Sequence, residues 1–176
     1  MVYVAKQGDV DAPLLGSVLD SNDAHIQRVI SAILEKRQGT VALLGLSFKS
    51  GSDDLRESPF VRLAEGLIGK GVPLRIFDPD VELTSVFGRN RAYIEQHLPH
   101  VAQLAAPSLE EATADADLIV VGKRVADTAA LCAASAGRTV LDLVGIPELG
   151  DVIRPWASDL TPMTGSRTPL AARARN

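Results

Sequence analysis

The chain has 176 residues, 46% hydrophobic but only 4% aromatic, with 18 basic and 22 acidic side chains and a formal net charge of −4. That length suits one domain with some additional chain, and its core must be built from Leu, Val, Ile and Ala. The acidic balance excludes a basic face for nucleic acid and a polybasic membrane patch. No apolar run approaches the roughly 20 residues that a bilayer span needs. The start, Met1-Val2-Tyr3-Val4-Ala5-Lys6, lacks the charged-then-apolar pattern of a secretion signal. A single cysteine, Cys132, excludes an internal disulfide and a cysteine-based zinc cluster. A cytoplasmic, soluble domain is the expectation.

Residues 1–20 read as irregular, broken by Gly8, Pro13 and Gly16. Ser21-Asn22-Asp23 offers helix caps, and Ile26, Val29, Ile30, Ile33 and Leu34 follow at the spacing of one helical face, stopped by Gly39. Val41 to Leu46 predicts a buried parallel strand, apolar on both faces. A polar loop from Lys49 to Glu57 precedes Ser58-Pro59, a capping hydroxyl and a first-turn proline. Phe60, Leu63, Ala64, Leu67 and Ile68 then mark a second amphipathic helix, ended by Gly69 and Gly71. Leu74 to Phe77 predicts a second strand, closed by Asp78-Pro79. The pattern weakens from Val81 to Pro99, with helix expected around Tyr93 to Leu98 and a short strand at Val101 to Ala105. Ser108 and Glu111 form a capping box for a short helix ending near Ala114. Leu118 to Val121 is a third strand, Val125 to Ala134 an Ala-rich helix, and Thr139 to Val144 the last strand. Beyond Trp156 the chain turns to Ser, Thr, Pro, Ala and Arg without periodicity, which reads as a disordered tail over 157–176.

Strands alternating with helices predict an α/β fold: a doubly wound, Rossmann-like parallel sheet with helices on both faces. Ligands of such sheets bind at the carboxyl ends of the strands, so the loops after Leu46, Phe77, Val121 and Val144 are the places to inspect. The first of these runs Gly45-Leu46-Ser47-Phe48-Lys49-Ser50-Gly51-Ser52-Asp53-Asp54-Leu55-Arg56-Glu57-Ser58-Pro59. It contains neither the G-x-G-x-x-G of a dinucleotide site nor a P-loop, because its lysine precedes the second glycine. It offers two cations, Lys49 and Arg56, beside a helix N-terminus that attracts anions. A surface loop whose acids neutralise those cations is the competing reading, and spacing alone leaves the two level.

The same stretch resembles the signature of the UDP-glucose/GDP-mannose dehydrogenase family, G-x-x-F-K-x-x-[ST]-x-D-x-R-x-S-P. Every specified position matches: Gly45, Phe48, Lys49, Ser52, Asp54, Arg56, Ser58 and Pro59. Leu74-Arg75-Ile76-Phe77-Asp78-Pro79 resembles the family's next strand, and Asp142-Leu143-Val144-Gly145 is similar to its GDP-mannose branch. Pro13-Leu14-Leu15-Gly16-Ser17 with Ser21-Asn22 resembles the entry to the family's long central helix. The likeness covers about residues 1 to 156. It implies a lead-in and the end of a central dimerisation helix over 1–38, and a C-terminal nucleotide-sugar-binding domain over 39–156.

The resemblance also implies roles. Enzymes of this family oxidise a sugar C6 alcohol twice with NAD, through a thioester on a cysteine in a glycine-rich loop. That loop and the NAD domain precede the point that aligns with Met1, so no catalytic residue is expected in this chain, which is predicted inactive in isolation. Phe48 and Lys49 are implied to contact the nucleotide sugar, GDP-mannose or a relative, with Lys49 as an auxiliary near the reacting sugar. Arg56 is implied to reach NAD bound on the other domain, and a homodimer is expected. Asp54 and Ser58 read as loop and cap supports.

Cys132, in Ala129-Ala130-Leu131-Cys132-Ala133-Ala134, reads as a buried core thiol. His25, His97 and His100 show neither ligand nor triad spacing and are expected at the surface. Asp78 ends a second strand, where a dinucleotide site would bind ribose, but without the glycine pattern that reading carries little. Lys123-Arg124 departs from the acidic run of the GDP-mannose branch and puts base or phosphate recognition at that loop in question. A freestanding nucleotide-sugar-binding module, or a decayed paralogue kept for dimer contacts, are the alternatives. The intact Lys49 and Arg56 favour the oxidoreductase domain.

Overall fold

The structure, a computed structural model, describes residues 13–48, 51, 54–56, 58–81, 101–125 and 127–149. The expectations for residues 1–12, for a helix at Tyr93 to Leu98, for His97 and His100, and for the tail over 157–176 lie outside them.

The described elements are α1 (Pro13–Lys36), β1 (Thr40–Leu44), α2 (Pro59–Gly69), β2 (Leu74–Phe77), α3 (Val101–Leu104), α4 (Leu109–Thr113), β3 (Ala116–Val121), α5 (Thr128–Ser135) and β4 (Thr139–Asp142). The four strands form one sheet in the order β2-β1-β3-β4, every pairing parallel. Register is fixed by pairs such as Leu43 with Ile76 and with Val120. The chain moves outward from β1 to β2, then returns across β1 to β3. The topological switch point, where such sheets place their ligands, therefore lies between β1 and β3 at the carboxyl ends.

The two-residue period of the strands divides the core. Val41, Leu43, Leu118, Val120 and Leu141 face a cluster built with α1 and α2. Ala42, Leu44, Ile119, Val121 and Val140 face a second cluster with Ala112 and Leu131 of α4 and α5. Helices thus cover both faces, as a parallel sheet requires, and the expected doubly wound α/β architecture is the one observed. Each fully buried Leu or Val contributes about 1.5–3 kcal/mol through burial.

Several boundaries differ from the sequence reading. Residues 13–20 are helical rather than irregular, because α1 starts at Pro13 and runs 24 residues straight through Gly16 and Ser21-Asn22-Asp23. Proline suits a first turn, and exposed Ser, Asn and Gly inside a helix cost at most about 1 kcal/mol each. The burial of Ile26, Val29, Ile30 and Ile33 against α2 offsets this. Gly66 of α2 permits the close approach, since a Cβ there would meet Ile30 Cδ1 at 2.6 Å. Val101–Leu104 forms a helical turn instead of a strand, although Ala105 makes one parallel bridge to Ile76. A short apolar run does not distinguish the two by periodicity. α5 begins at Thr128 rather than Val125 because Asp127 caps it, accepting from Ala130 N at 2.9 Å.

His25 is exposed, as expected. Cys132 is half-buried rather than buried, packed on the edge of the second cluster, with its thiol 3.5 Å from the Glu148 carbonyl. None of the described helices is long and apolar enough to cross a membrane.

Candidate functional site

The loop after β1 is shaped by where its backbone turns. Gly45 has φ of +101°, a conformation that suits glycine, and it ends the ladder two residues before the expected Leu46. The next two N–H groups, of Leu46 and Ser47, both donate to Asp78 Oδ2 at 2.8 Å. Asp78 stands immediately after β2, so its carboxylate reaches from one strand end to the next. Its other oxygen, Oδ1, accepts from Asp80 N at 2.9 Å and from Lys123 Nζ at 2.8 Å.

Lys123 is the unexpected member. The sequence reading noted it, with Arg124, as a departure from the acidic run of the GDP-mannose branch that puts base or phosphate recognition at that loop in question. Its side chain is instead turned inward and only 3% exposed. The stem lies against Gly45, where any Cβ would collide with the Lys123 Cβ. The ammonium has three protons to donate and meets three acceptors: Ser47 Oγ at 2.6 Å, Asp78 Oδ1 at 2.8 Å and Asp80 Oδ2 at 2.6 Å. Asp80 Oδ2 also accepts from Gly51 N, at 2.8 Å, further along the β1 loop. A buried ion pair is tolerable only when its remaining bonding capacity is satisfied, and here it is. Burial pushes the Asp78 carboxyl up, but the bond from Lys123 and the N–H groups of Ser47, Leu46 and Asp80 outweigh it and hold the group below the ordinary carboxylate range. Asp80 is lowered mainly by Lys123 and then by the Gly51 N–H.

This arrangement settles what the crevice can hold. An acid at the end of the second strand binds ribose in a dinucleotide site. Asp78 accepts four hydrogen bonds from within the protein, and Lys123 occupies the switch point beside it. The residues present therefore do not fit NAD on this sheet, in accord with the missing glycine pattern.

Of the sequence-predicted site residues, Phe48 and Arg56 lie outward of this network on the same loop. Phe48 is 65% exposed. Lys49 lies outside the described residues. Leu55, fully buried in the first cluster, pegs the loop to the core, and Arg56 beside it is exposed. Its Nε and Nη2 donate to Asp54 at 2.9 and 2.7 Å, a two-pronged pair that raises the guanidinium pKa further. Ser58 acts on both sides of the loop. Its hydroxyl donates to the Leu46 carbonyl at 2.6 Å and accepts from Phe60 N at 3.3 Å as the cap of α2. The network behind them was missed by sequence reasoning. The signal available was that β1 and β3 must be neighbours in a doubly wound sheet, so the residues following each strand meet.

At the other end of the carboxyl edge, Asp142 closes β4. Its carboxylate accepts from Val144, Gly145 and Ile146 N–H groups at 3.0, 2.8 and 2.7 Å, which ends the strand before Val144. Between α1, α2 and this loop lies an apolar pocket of about 120 Å³, lined by Ile26, Val29, Phe60, Leu63 and Leu143 among others. Ligand pockets run to roughly 300–1,000 Å³, so this one does not enclose a nucleotide sugar by itself.

The chain's relatives agree with this geometry. The profile of the UDP-glucose/GDP-mannose dehydrogenase family, UDP binding domain, matches residues 42–146. The chain is 48% identical over 146 residues to a GDP-mannose 6-dehydrogenase of Pseudomonas putida, covering 82% of this chain and 33% of that protein. It is 30% identical over 117 residues to a UDP-glucose 6-dehydrogenase of Rickettsia felis, covering 64% of this chain and 24% of that one. A crystal structure of a ternary complex of GDP-mannose dehydrogenase from Pseudomonas aeruginosa superposes with a TM-score of 0.70 at 42% identity, over 87% of this chain and 35% of the other. The chain spans about a third of the length of the GDP-mannose relative and about a quarter of that of the UDP-glucose one. A glycine-hinged loop pegged by Leu55 and capped by Ser58, on a parallel sheet that the family profile follows from Ala42 to Ile146, places the chain in the UDP-glucose/GDP-mannose dehydrogenase family, as its C-terminal nucleotide-binding domain.

Proposed function

We propose that this chain is the nucleotide-sugar-binding part, over residues 39–156, of a cytoplasmic NAD-dependent nucleotide-sugar 6-dehydrogenase of the GDP-mannose to GDP-mannuronate type, serving polysaccharide precursor synthesis. The observation that carries the reading is the β1 loop. It keeps every family position from Gly45 to Pro59 and presents Phe48 and Arg56 outward from a buried, fully bonded base. Identity of 46–50% to relatives named GDP-mannose 6-dehydrogenase supports the choice of base over the UDP-glucose relatives at 30–31%.

In this reading Phe48 packs on the nucleotide sugar and Lys49 holds a sugar oxygen, stabilising negative charge that develops there. Arg56 turns toward a separate NAD-carrying domain, where its planar guanidinium suits phosphate oxygens. NAD supplies the hydride acceptor when bound there, and a cysteine of another segment supplies the thiol. Cys132, half-buried on α5, supplies neither. A homodimer through the α1 region completes the assembly.

Titration of the isolated chain with GDP-mannose, followed by NMR, tests the reading. Weak binding that maps to the carboxyl ends of the strands is expected, with no NADH production. Lys49→Ala should weaken binding about tenfold or more, since a hydrogen bond to a charged group is worth about 1.5–3 kcal/mol. Arg56→Ala should leave it nearly unchanged. Equal losses from both substitutions would reduce the loop to a general cationic patch and remove the basis of the proposal.

A further inference from the structure

We infer that Lys123 is the positioning residue of the nucleotide-sugar loop, a buried cation that fixes Leu46, Ser47 and Gly51 through Asp78 and Asp80. The inference rests on the reading above only for the identity of the ligand. The geometry itself is independent of it.

Three strand ends converge on one ammonium. Ser47 comes from the β1 loop, Asp78 and Asp80 from the β2 turn, and Lys123 from the end of β3. Asp78 then holds the N–H groups of Leu46 and Ser47, and Asp80 holds that of Gly51. The loop is therefore gripped at Leu46 and Ser47 and again at Gly51, on either side of the exposed Phe48. Two carboxylates so close would repel without a cation between them. With Lys123 present they are drawn to the same point, and the N–H groups they bind are fixed with them. Gly45 and Gly122 make the room. A Cβ at Gly45 would strike Lys123, and one at Gly122 would lie 2.8 Å from the Phe60 ring. Lys123 is buried and its ammonium is taken up by Ser47, Asp78 and Asp80, so it acts through its partners and not on the ligand.

The test uses the full chain. Amide hydrogen exchange and GDP-mannose titration are compared for the native protein, Lys123→Met and Asp80→Ala. Methionine keeps the length of the stem and removes the charge. Lys123→Met should speed exchange at Gly51, a residue Lys123 does not bond, by about tenfold or more, with strand amides such as Val120 and Leu141 little changed. The same variant should weaken GDP-mannose binding about fivefold or more, and Asp80→Ala, at a half-exposed site, should weaken it comparably. Restoring the charge with Lys123→Arg should recover part of the affinity. A folded Lys123→Met protein with native Gly51 exchange, or with faster exchange but native affinity, would overturn the inference. If Lys123→Met does not fold, native affinity in Asp80→Ala overturns it. A native chain that gives no GDP-mannose shifts overturns the proposed function instead, and the Gly51 exchange then decides by itself whether Lys123 positions the loop.

Discussion

Asp78 and Asp142 stand at the ends of the two opposite edge strands of the same sheet and do the same thing with different reach. Both are buried, and both spend their carboxylates on backbone N–H groups. Asp142 binds the N–H groups of its own loop, two to four residues ahead. Asp78 binds N–H groups 31 and 32 residues away, on the β1 loop, and a lysine 45 residues ahead. One acid shapes a turn, while the other joins three strand ends. A local bond costs little chain entropy and survives alone, whereas a long-range bond exists only when the whole sheet has formed.

The largest effect should come from breaking the long-range acid. Asp78→Ala leaves Lys123 buried with half its charge partners gone and takes the carboxylate acceptor from three N–H groups, those of Leu46, Ser47 and Asp80. Losing one member of a buried pair costs about 3–5 kcal/mol, to be read from urea unfolding. A loss below about 1 kcal/mol would mean that water repairs the gap and that the network is not structural. Acid sharpens the same point. The folded pKa of Asp78 lies below its unfolded value, so the stability it contributes is complete above the unfolded pKa of about 3.9 and is lost as pH falls through the folded one. Stability should hold down to about pH 4 and then decline. Asp78→Asn should flatten that decline, and an unchanged acid limb would assign it to other carboxylates.

Asp142→Ala should cost less, about 1–3 kcal/mol, because the orphaned N–H groups belong to one turn. Exchange at Val144, Gly145 and Ile146 should rise while Leu46 and Ser47 stay protected. Faster exchange at both loops would erase the distinction between the two acids. The smallest effect is expected from the exposed pair of Arg62 with Asp23, which links α2 to α1. Arg62→Ala should scarcely move the melting temperature. A large drop would show that charge, and not the Ile26–Ile33 face, holds the helix in place.

The same contrast explains what the sequence could reveal. Patterns carried by neighbours in the chain were legible: the apolar runs of β1 and β3, the Ser58-Pro59 start of α2, the Ser108 cap of α4 and the motif of the β1 loop. The ends of β1 and β4 were placed two residues late, because Leu46 and Val144 are apolar and period alone cannot see a carboxylate removing their N–H groups from the ladder. Lys123 was left without a role for a stronger reason. A lysine beside an arginine after Gly122 looks like a surface cation, and its burial depends on two aspartates brought beside it by the crossing of β2 and β3. Residues whose role is set by topology can be found only after the strand order is known.

The long helix α1 has a mechanical consequence. Ile26 to Ile33 anchor its second half in the first core cluster, while Leu14, Val18 and Leu19 in its first half are exposed. At 1.5 Å per residue, the stretch from Ile26 back to Pro13 is a lever of about 20 Å. A tilt of about 10° at its anchored end would sweep the tip through about 3 Å, comparable to a hydrogen-bond length. Anything carried at Pro13 would be displaced by that amount relative to the β1 loop, with the seat of Ile30 on Gly66 as part of the fulcrum.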